Sequence, residues 1–292
     1  MRAGDRLGLS QPAVSAALGR LRKSLGDDLF FRSGKSLQPT QYALALKAEL
    51  RLVLEHIEEL IRGPGTFDPA TSNVSIRISG SDFFAELLMP KLAERLQFLA
   101  PKMRVHLVDL VPDSYVETLD RYEVDLALIP EASLPDWVES RPVFRSNFSV
   151  IAREDHPRLQ REGLLEGDVV PIDLFCDLGH VLFSPEGNSK AMGDAALAKV
   201  GRERRVVMTM PVFSGVYRAV AGSDLIALLP TALAQHVANA AGLCVYRAPM
   251  LVPTAQLCMI WHRRHSGNAS HFWIRDQIAD LLSSLDEKPN AP

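Results

Sequence analysis

The opening part of the chain carries a helical pattern of apolar residues. Ser10 is a favourable N-cap residue, and Pro12 would lie in the first turn, where its missing N–H is not needed. Apolar side chains then recur at spacings of three and four residues, at Val14, Ala17, Leu18, Leu21 and Leu25. The opposite face carries small and polar side chains, at Gln11, Ser15, Gly19 and Arg22. Such a face suits close approach to base edges in the major groove of DNA.

A short hairpin is predicted directly after this helix. Leu29, Phe30 and Phe31 can pack inward, and Arg32 and Lys35 flank a turn at Ser33-Gly34. Two short strands around a basic glycine turn form a wing, which is suited to phosphate contacts. The alternative is a surface hairpin whose basic residues are incidental.

The segment from Gln41 to Arg62 contains neither Gly nor Pro and favours one long helix. Its apolar residues follow the 4-3-4-3 spacing of a coiled-coil seam, at Leu46, Leu50, Val53, Ile57 and Leu60. We predict a dimerisation helix, because two DNA-binding heads must be held at a fixed separation over two half-sites. The alternative is a single helix packed on its own domain. The Gly63-Pro64-Gly65 sequence then ends the helix, and a polar hinge follows.

Beyond the hinge, strand-like and helix-like segments alternate. Strands are predicted over 73–79, 105–111, 125–130, 180–184, 205–211 and 225–230, with helical segments between them and a bend at Pro90. This alternation favours an α/β fold with mostly parallel sheets covered by helices. Two long extended segments, 143–155 and 256–264, are predicted to pass between two lobes, as in the hinged periplasmic solute-binding proteins. The final helix, 269–285, is predicted to return to the first lobe.

Composition and charge narrow the classes of protein. A chain with 47% hydrophobic and 23% charged residues is typical of a globular protein, which excludes disordered and fibrous classes. No apolar run approaches the roughly 20 residues of a membrane helix, and the N-terminus lacks the apolar core of a signal peptide. The three cysteines, Cys176, Cys244 and Cys258, form no CxxC pair, so we predict buried reduced thiols and a cytoplasmic protein without membrane contacts. Residues 1–40 carry seven basic and three acidic side chains, whereas the rest is net acidic, so the head is expected to meet a polyanion.

The sequence LSQPAVSAALGRLRKSLGDDLFFRSGKSLQPT (residues 9–40) strongly resembles the winged helix-turn-helix of LysR-type transcriptional regulators. The matching positions are Leu9 to Ser15 at the recognition helix, and Gly26, Leu29, Phe30 and Arg32 at the wing. The resemblance implies that the chain binds promoter DNA, responds to a small-molecule effector and assembles into homodimers and homotetramers. It implies DNA contacts from six residues: Ser10, Gln11, Pro12, Ser15, Arg32 and Lys35.

The resemblance also gives the expected domain organisation. Residues 1–40 would form the winged helix-turn-helix, 41–62 the linker and dimerisation helix, and 72–292 a two-lobed α/β effector-binding domain. The first lobe would comprise about 72–148 and 256–292, and the second about 149–255. Family members usually have a further helix before the position at which this sequence begins, so the DNA-binding domain is expected to be incomplete, without its first helix. A solute-binding sensor that has lost DNA binding is therefore the alternative function.

Candidate effector-binding residues lie where predicted strands end, because ligands of open α/β sheets bind at the carboxyl ends of strands and at helix N-termini. The first strand ends at Ser79, Gly80, Ser81 and Asp82, and a similar junction in the second lobe contains Phe213 and Ser214. Pro112 and Pro130 end two more strands, and Phe148 lies on a crossing segment. Ser81 or Asp82 could instead be a plain N-cap, and Phe148 could be a core residue. The segment 208–234 resembles regulators of aromatic catabolism and nodulation, which implies an aromatic acid as the effector.

Motifs for other chemistry are missing from the sequence. Arg32 to Ser36 superficially resembles the end of a phosphate-binding loop, but Leu29 replaces its required glycine. The spacing of His262, His265 and His271 could suggest a metal site, but no HExxH motif occurs and no cysteine is near, so we interpret them as incidental surface histidines. No GxSxG, SxxK or GxGxxG motif occurs. We therefore predict no metal, no cofactor and no enzymatic activity; an enzyme on a two-lobed scaffold is the remote alternative.

Overall fold

The computed structural model describes residues 8, 10–33, 36–62, 67–108, 115–120 and 124–288. Lys35 and Pro112, both predicted site residues, lie outside these ranges. The chain separates into two compact units, Met1–Thr66 and Phe67–Pro292. Within the described ranges, no helix has both the length and the apolar character required to span a membrane.

The first unit begins with helix α1, Gln11–Leu25, which agrees with the predicted helix. Ser10 is extended at the N-cap, although its side chain makes no capping hydrogen bond. Gly26 ends the helix because it adopts a left-handed conformation, with φ of 67°, and donates its N–H to the Arg22 carbonyl over 2.9 Å. Arg22 and Lys23 place positive charge in the last turn, next to the carbonyl end of the helix dipole.

The predicted wing is present as an antiparallel hairpin of β1, Phe30–Ser33, and β2, Ser36–Pro39. Side-chain hydrogen bonds join it to α1. Arg22 Nε donates to the Asp28 carbonyl over 2.6 Å, and Asp27 Oδ1 accepts from the Leu29 N–H over 2.6 Å. Leu29 is buried with φ of 60°, a strained conformation for a branched side chain, and these bonds hold it there.

Helix α2 spans Gln41–Arg62, the range predicted from the sequence. Thr40 Oγ1 caps its first turn by accepting from the Ala43 N–H over 3.1 Å. Along the predicted seam, Leu46 is half-buried, and Leu50, Val53 and Ile57 are exposed within the first unit. The side chain of Leu60 is outside the described part of the chain. Dimerisation through this seam therefore stays a prediction.

The second unit contains the remaining strands and helices in chain order. The strands are β3 Ser75–Ser79, β4 Arg104–Val108, β5 Leu126–Pro130, β6 Val138–Ser146, β7 Phe148–Arg153, β8 Gly179–Phe183, β9 Arg205–Met210, β10 Ala227–Pro230, β11 Leu243–Arg247 and β12 Ala255–His262. The helices are α3 Asp82–Leu87, α4 Met89–Leu99, α5 Tyr115–Asp120, α6 Pro157–Arg161, α7 Ile172–Asp177, α8 Met192–Lys199, α9 Phe213–Ala221, α10 Thr231–Ala241 and α11 Ala269–Ser283, with a short 3₁₀ turn at Arg263–His265. The predicted bend before Pro90 is present as the break between α3 and α4.

Lobe I contains a mixed sheet and lobe II an antiparallel sheet beside a parallel pair, so the expectation of mostly parallel sheets is wrong. In lobe I the strand order is β4-β3-β5-β12-β6, with β3 parallel to β4 and β5, and β12 antiparallel to β5 and β6. In lobe II, β7 lies antiparallel between β10 and β11, while β8 and β9 are parallel. Strand β12, which enters lobe I from lobe II, runs antiparallel to β5 and β6, and β7, which enters lobe II from lobe I, runs antiparallel to β10 and β11. The sequence pattern also did not predict α6, α7, α10 or β11.

The two lobes meet at Asn147. The extended segment predicted over 143–155 is two strands, since β6 ends in the lobe I sheet and β7 begins in lobe II, with Asn147 between them. Its Oδ1 accepts from Thr254 Oγ1 over 2.7 Å, on the second crossing segment. Its N–H donates to Glu287 Oε2 over 2.6 Å, and its Nδ2 donates to the Lys288 carbonyl over 2.8 Å. The C-terminal segment is thereby joined to both crossings, and the Thr231 N–H at the start of α10 donates to the Asn147 carbonyl over 3.0 Å.

The largest apolar core is continuous across both lobes. It contains Ile76 and Met259 from the lobe I sheet together with Ile151, Val216 and Leu229 from lobe II. Two smaller clusters fill the outer layers of lobe II and of lobe I. Because apolar burial is the main stabilising term in folding, this shared core is what brings the strand ends of the two lobes together.

Candidate ligand cavity and nucleic-acid interface

The predicted DNA-contact residues lie on the surface of the first unit. Ser10, Gln11, Pro12 and Ser15 are exposed at the N-terminal end of α1, and Arg32 is exposed on β1. The opposite face of α1 is half-buried, except that Leu21 is 51% exposed. The start of α1 and the wing therefore present polar and basic groups to solvent.

A cavity of about 240 Å³ lies in the second unit, between the two lobes. Its wall is apolar apart from a few polar groups. The lining residues are Ser81, Phe83, Phe84, Leu128, Pro130, Phe144, Ser146, Phe148, Leu182, Phe183, Ala191, Met192, Gly193, Arg204, Phe213, Leu228, Pro230, Val252, Ala255 and Leu257. Four predicted site residues are among them: Ser81, Pro130, Phe148 and Phe213.

Aromatic rings form two groups in this wall. In lobe I, the ring centroids of Phe83 and Phe144 are 5.8 Å apart with nearly parallel planes, and Phe84 meets both rings edge-on. In lobe II, Phe183 and Phe213 stack with centroids 3.7 Å apart. Stacked and edge-on aromatic pairs are stable arrangements, so the rings offer a preorganised surface to a flat apolar ligand.

Ser81 and Asp82 have different surroundings although they are adjacent. Ser81 is at the N-cap position of α3, but its hydroxyl makes no capping bond, and the residue lines the cavity. The Asp82 carboxylate accepts from the N–H groups of Phe213, over 2.9 Å, and of Ser214, over 2.8 Å. Asp82 of lobe I therefore caps α9 of lobe II. Glu86 adds a second lobe-to-lobe bond by accepting from the Tyr217 hydroxyl over 3.1 Å.

Three further predicted residues do not line the cavity. Ser79 is buried at the end of β3, and the Ser214 N–H is bound by Asp82. Gly80 lies so close to the Phe84 ring that a Cβ atom there would be 2.9 Å from Phe84 Cδ2. Gly80 thus allows the aromatic wall to form without touching a ligand itself. Phe148 has both of its predicted roles, since it packs on the lobe II cluster and lines the cavity.

Arg204 is a cavity residue that the sequence pattern did not predict. It precedes β9 in the charged stretch Arg202–Arg205, which is typical of a solvated turn, yet its side chain is only 1% exposed. Its guanidinium forms a two-point ion pair with Asp194 of α8. Burial opposes ionisation of Asp194, but the hydrogen bonds from Arg204 and from the Ala191 N–H outweigh it, and the pKa of this carboxyl lies below its ordinary value.

The histidines and cysteines differ from expectation in burial. His265 and His271 are buried, and their rings stack 4.3 Å apart, so the interpretation of these two as surface histidines is wrong. Their possible metal-ligand atoms and one of Asp125 lie within 4.8 Å of one another. Burial, together with the charges of His265 and Arg275, holds the pKa of His271 well below its ordinary value, and the positive charge of Arg275 opposes a cation. The cysteines are free thiols, of which Cys258 is buried, and burial raises the pKa of all three.

A helix with an exposed polar start, a basic wing and a two-lobed ligand-binding unit together define a DNA-binding transcription regulator. Residues 1–44 match the family described as "Bacterial regulatory helix-turn-helix protein, lysR family", and residues 71–283 match "LysR substrate binding domain". The chain belongs to the LysR family of transcriptional regulators. The resemblance drawn from residues 9–40 is thereby confirmed. Members of this family are transcriptional regulators that bind promoter DNA and small-molecule effectors, and they are not enzymes.

Individual relatives agree with this assignment along nearly the whole chain. The transcriptional activator NahR of Pseudomonas putida is 29% identical over 279 residues, which cover 96% of this chain and 91% of NahR. Nodulation protein D 1 of Sinorhizobium fredii is 30% identical over 285 residues, which cover 97% of this chain and 86% of that protein. Among solved structures, the probable transcriptional regulator PA0477 of Pseudomonas aeruginosa is 31% identical, with a TM-score of 0.73. That match covers 98% of this chain and 92% of PA0477.

Proposed function

We propose that this cytoplasmic regulator binds an aromatic acid in the cavity between its lobes, and that binding changes its action at the promoter. The observation that carries the proposal is the ring-lined cavity, whose wall contains residues of both lobes. A ligand that contacts both lobes stabilises one lobe arrangement over another, and this difference in affinity is what drives a change elsewhere in the assembly.

The aromatic character of the effector is supported by the wall itself. Phe83 and Phe144 from lobe I and Phe183 and Phe213 from lobe II offer ring faces and edges, which attract another ring more strongly than an aliphatic chain of equal size. Polar groups such as the Ser81 hydroxyl are few, and a few polar groups in an apolar pocket fix a ligand's orientation. A small ring acid suits this combination.

On the DNA side, Gln11, Pro12 and Ser15 are assigned to the major groove, with Ser10 at the start of the helix. Arg32, together with Lys35, is assigned to phosphates at the wing. The exposed apolar residues of α2, Leu50, Val53 and Ile57, support pairing of two chains through this helix. We propose dimers joined in this way, and tetramers formed by pairing of effector domains.

A ligand screen tests the cavity assignment. The full chain is heated with benzoate, phenylacetate or cinnamate, and we expect at least one acid to raise the melting temperature, because it binds the folded form. Phe213→Ala should weaken binding of that acid by up to about tenfold, because the lost ring contact contributes about 0.5–1.5 kcal/mol and a factor of ten corresponds to about 1.4 kcal/mol. Phe272→Ala is the matched control, because Phe272 is 58% exposed on α11 and does not line the cavity. Equal loss in both variants would contradict the assignment.

A DNA-retention experiment tests the DNA-binding part of the proposed function. Promoter fragments are incubated with the chain at about 50 and 200 mM salt, and retention should fall steeply with salt because phosphate contacts release counterions. Absence of retention at both salt concentrations would instead favour a sensor without DNA binding.

A further inference from the structure

Arg204 is the charged side chain in the described part of the cavity wall. Its side chain is 1% exposed, and the other residues that line the cavity carry no charge. A buried cation requires partners, because burial removes the water that would otherwise solvate it. A guanidinium nitrogen that has no acceptor in the protein is therefore available to a ligand.

Asp194 binds only one edge of the guanidinium. Arg204 Nε donates to Oδ1 over 2.9 Å, and Nη2 donates to Oδ2 over 2.7 Å, which is the two-point geometry favoured by arginine and carboxylate. Nη1 is also buried, and it has no acceptor among the described residues. The two N–H bonds of Nη1 thus have no acceptor among the described residues, and they belong to a side chain that lines the cavity.

The charge of Asp194 does not prevent a second carboxylate from binding. Asp194 lies in the first turn of α8, where the helix dipole favours a negative charge, and its Oδ2 also accepts from the Ala191 N–H over 2.7 Å. These interactions compensate part of the Asp194 charge independently of Arg204. The guanidinium can therefore lie between two carboxylates, each bound at a different edge.

Gly193 allows Leu228 to pack closely against α8 beside Arg204. A Cβ atom at this position would be 2.7 Å from Leu228 Cδ1 and 3.5 Å from Arg204 Nη2. Gly193 and Leu228 both line the cavity. Any larger residue at 193 would displace Leu228 and so change the cavity wall, whereas its distance from Arg204 would be that of an ordinary contact.

We infer that Arg204 binds the carboxylate of the effector through Nη1, and that this contact makes the cavity select small ring acids over their neutral analogues. The inference rests on the proposed function and goes further by naming the group that recognises the charge. The aromatic rings would contribute equally to acids and to neutral compounds of the same shape. Only Arg204 would distinguish the two.

The test compares acids with amides of the same shape. Benzoate, phenylacetate and cinnamate are each paired with their primary amides, and dissociation constants for the full chain are measured by calorimetry. For the acid that binds best, we expect at least tenfold tighter binding than for its amide, which is about 1.4 kcal/mol. Phe213→Ala should weaken acid and amide alike.

The Arg204→Met variant should lose the preference for the acid and bind the amide within about threefold of the wild type, which would also show that its cavity is intact. Because this change leaves Asp194 buried and unpaired, a double variant with Asp194→Asn is measured beside it. Equal binding of acid and amide by the wild-type chain would overturn the role of Arg204 but leave the cavity proposal standing. The same holds if the Arg204→Met variant or the double variant keeps the preference for the acid. Binding of neither acids nor amides would overturn the cavity proposal as well.

Discussion

The bond between Asp82 and the start of α9 predicts how strongly the two lobes are held together. Asp82→Ala removes a carboxylate that accepts from the Phe213 and Ser214 N–H groups over 2.9 and 2.8 Å. A hydrogen bond to a charged group contributes about 1.5–3 kcal/mol, and loss of a helix cap costs about 0.5–2 kcal/mol. Because Asp82 is only half-buried, values in the lower part of these ranges apply. We therefore expect the free energy of unfolding to fall by about 2 kcal/mol.

Thermal unfolding of the full chain measures this loss. For a unit of this size, about 1 kcal/mol shifts the melting temperature by roughly 2–4 °C, so Asp82→Ala should lower it by about 4–8 °C. Asp82→Asn should have a smaller effect, because the amide oxygen still accepts a hydrogen bond but carries no charge to interact with the helix dipole.

Asp280→Ala is the matched control. Asp280 pairs with Arg95 over 2.6 Å, but its side chain is 67% exposed. Exposed pairs contribute about 0–1 kcal/mol, so a shift below about 3 °C is expected. If Asp82→Ala shifted the melting temperature no more than Asp280→Ala, the carboxylate would not be joining the lobes, and the reasoning from hydrogen-bond geometry would be refuted.

Three further predictions concern DNA, assembly and pH. Arg32→Ala should weaken binding to all DNA sequences alike and reduce the salt slope by about one, measured by titration at several salt concentrations; loss on one sequence only would contradict a phosphate contact. Val53→Glu should dissociate chains paired through α2, measured by analytical ultracentrifugation, and an unchanged mass would contradict the seam. Burial lowers the pKa of His180 from 6.5 to about 4, so the unfolded chain binds the proton first as pH falls, and stability decreases below pH 6.5. We expect His180 to account for about 2 kcal/mol between pH 7.5 and 5, measured by urea unfolding, and His180→Gln should remove that part of the pH dependence.

Local patterns predicted much of the fold. Helix α2, the wing hairpin and the order of most strands follow from spacing, caps and turn residues, because these depend on neighbours along the chain. Strand direction did not follow in the same way. The antiparallel strands β6, β7 and β12 are defined by which lobe the chain enters next, and no local pattern records this.

The candidate site was less accessible from the sequence. The strand-end rule located Ser81, Pro130 and Phe213, and it could also have located Phe183, which lies one residue before the end of the predicted strand 180–184. It could not locate Arg204, because a charged residue in a charged stretch is normally solvated and only its tertiary partner Asp194 explains its burial. The sequence also could not predict that Asp82 caps α9, because its hydrogen-bond partners lie about 130 positions further along the chain.

The bonds of Asn147 have a practical consequence for experiments on this regulator. Glu287 and Lys288 lie at the end of the described chain, and both bind the single residue at which the first crossing changes lobes. A purification tag or reporter fused directly behind Lys288 would disturb the hydrogen bonds of Asn147. A truncation before Glu287 would leave the Asn147 N–H without this acceptor. Fusions at this end are therefore better made through a long flexible spacer when ligand response is the quantity of interest.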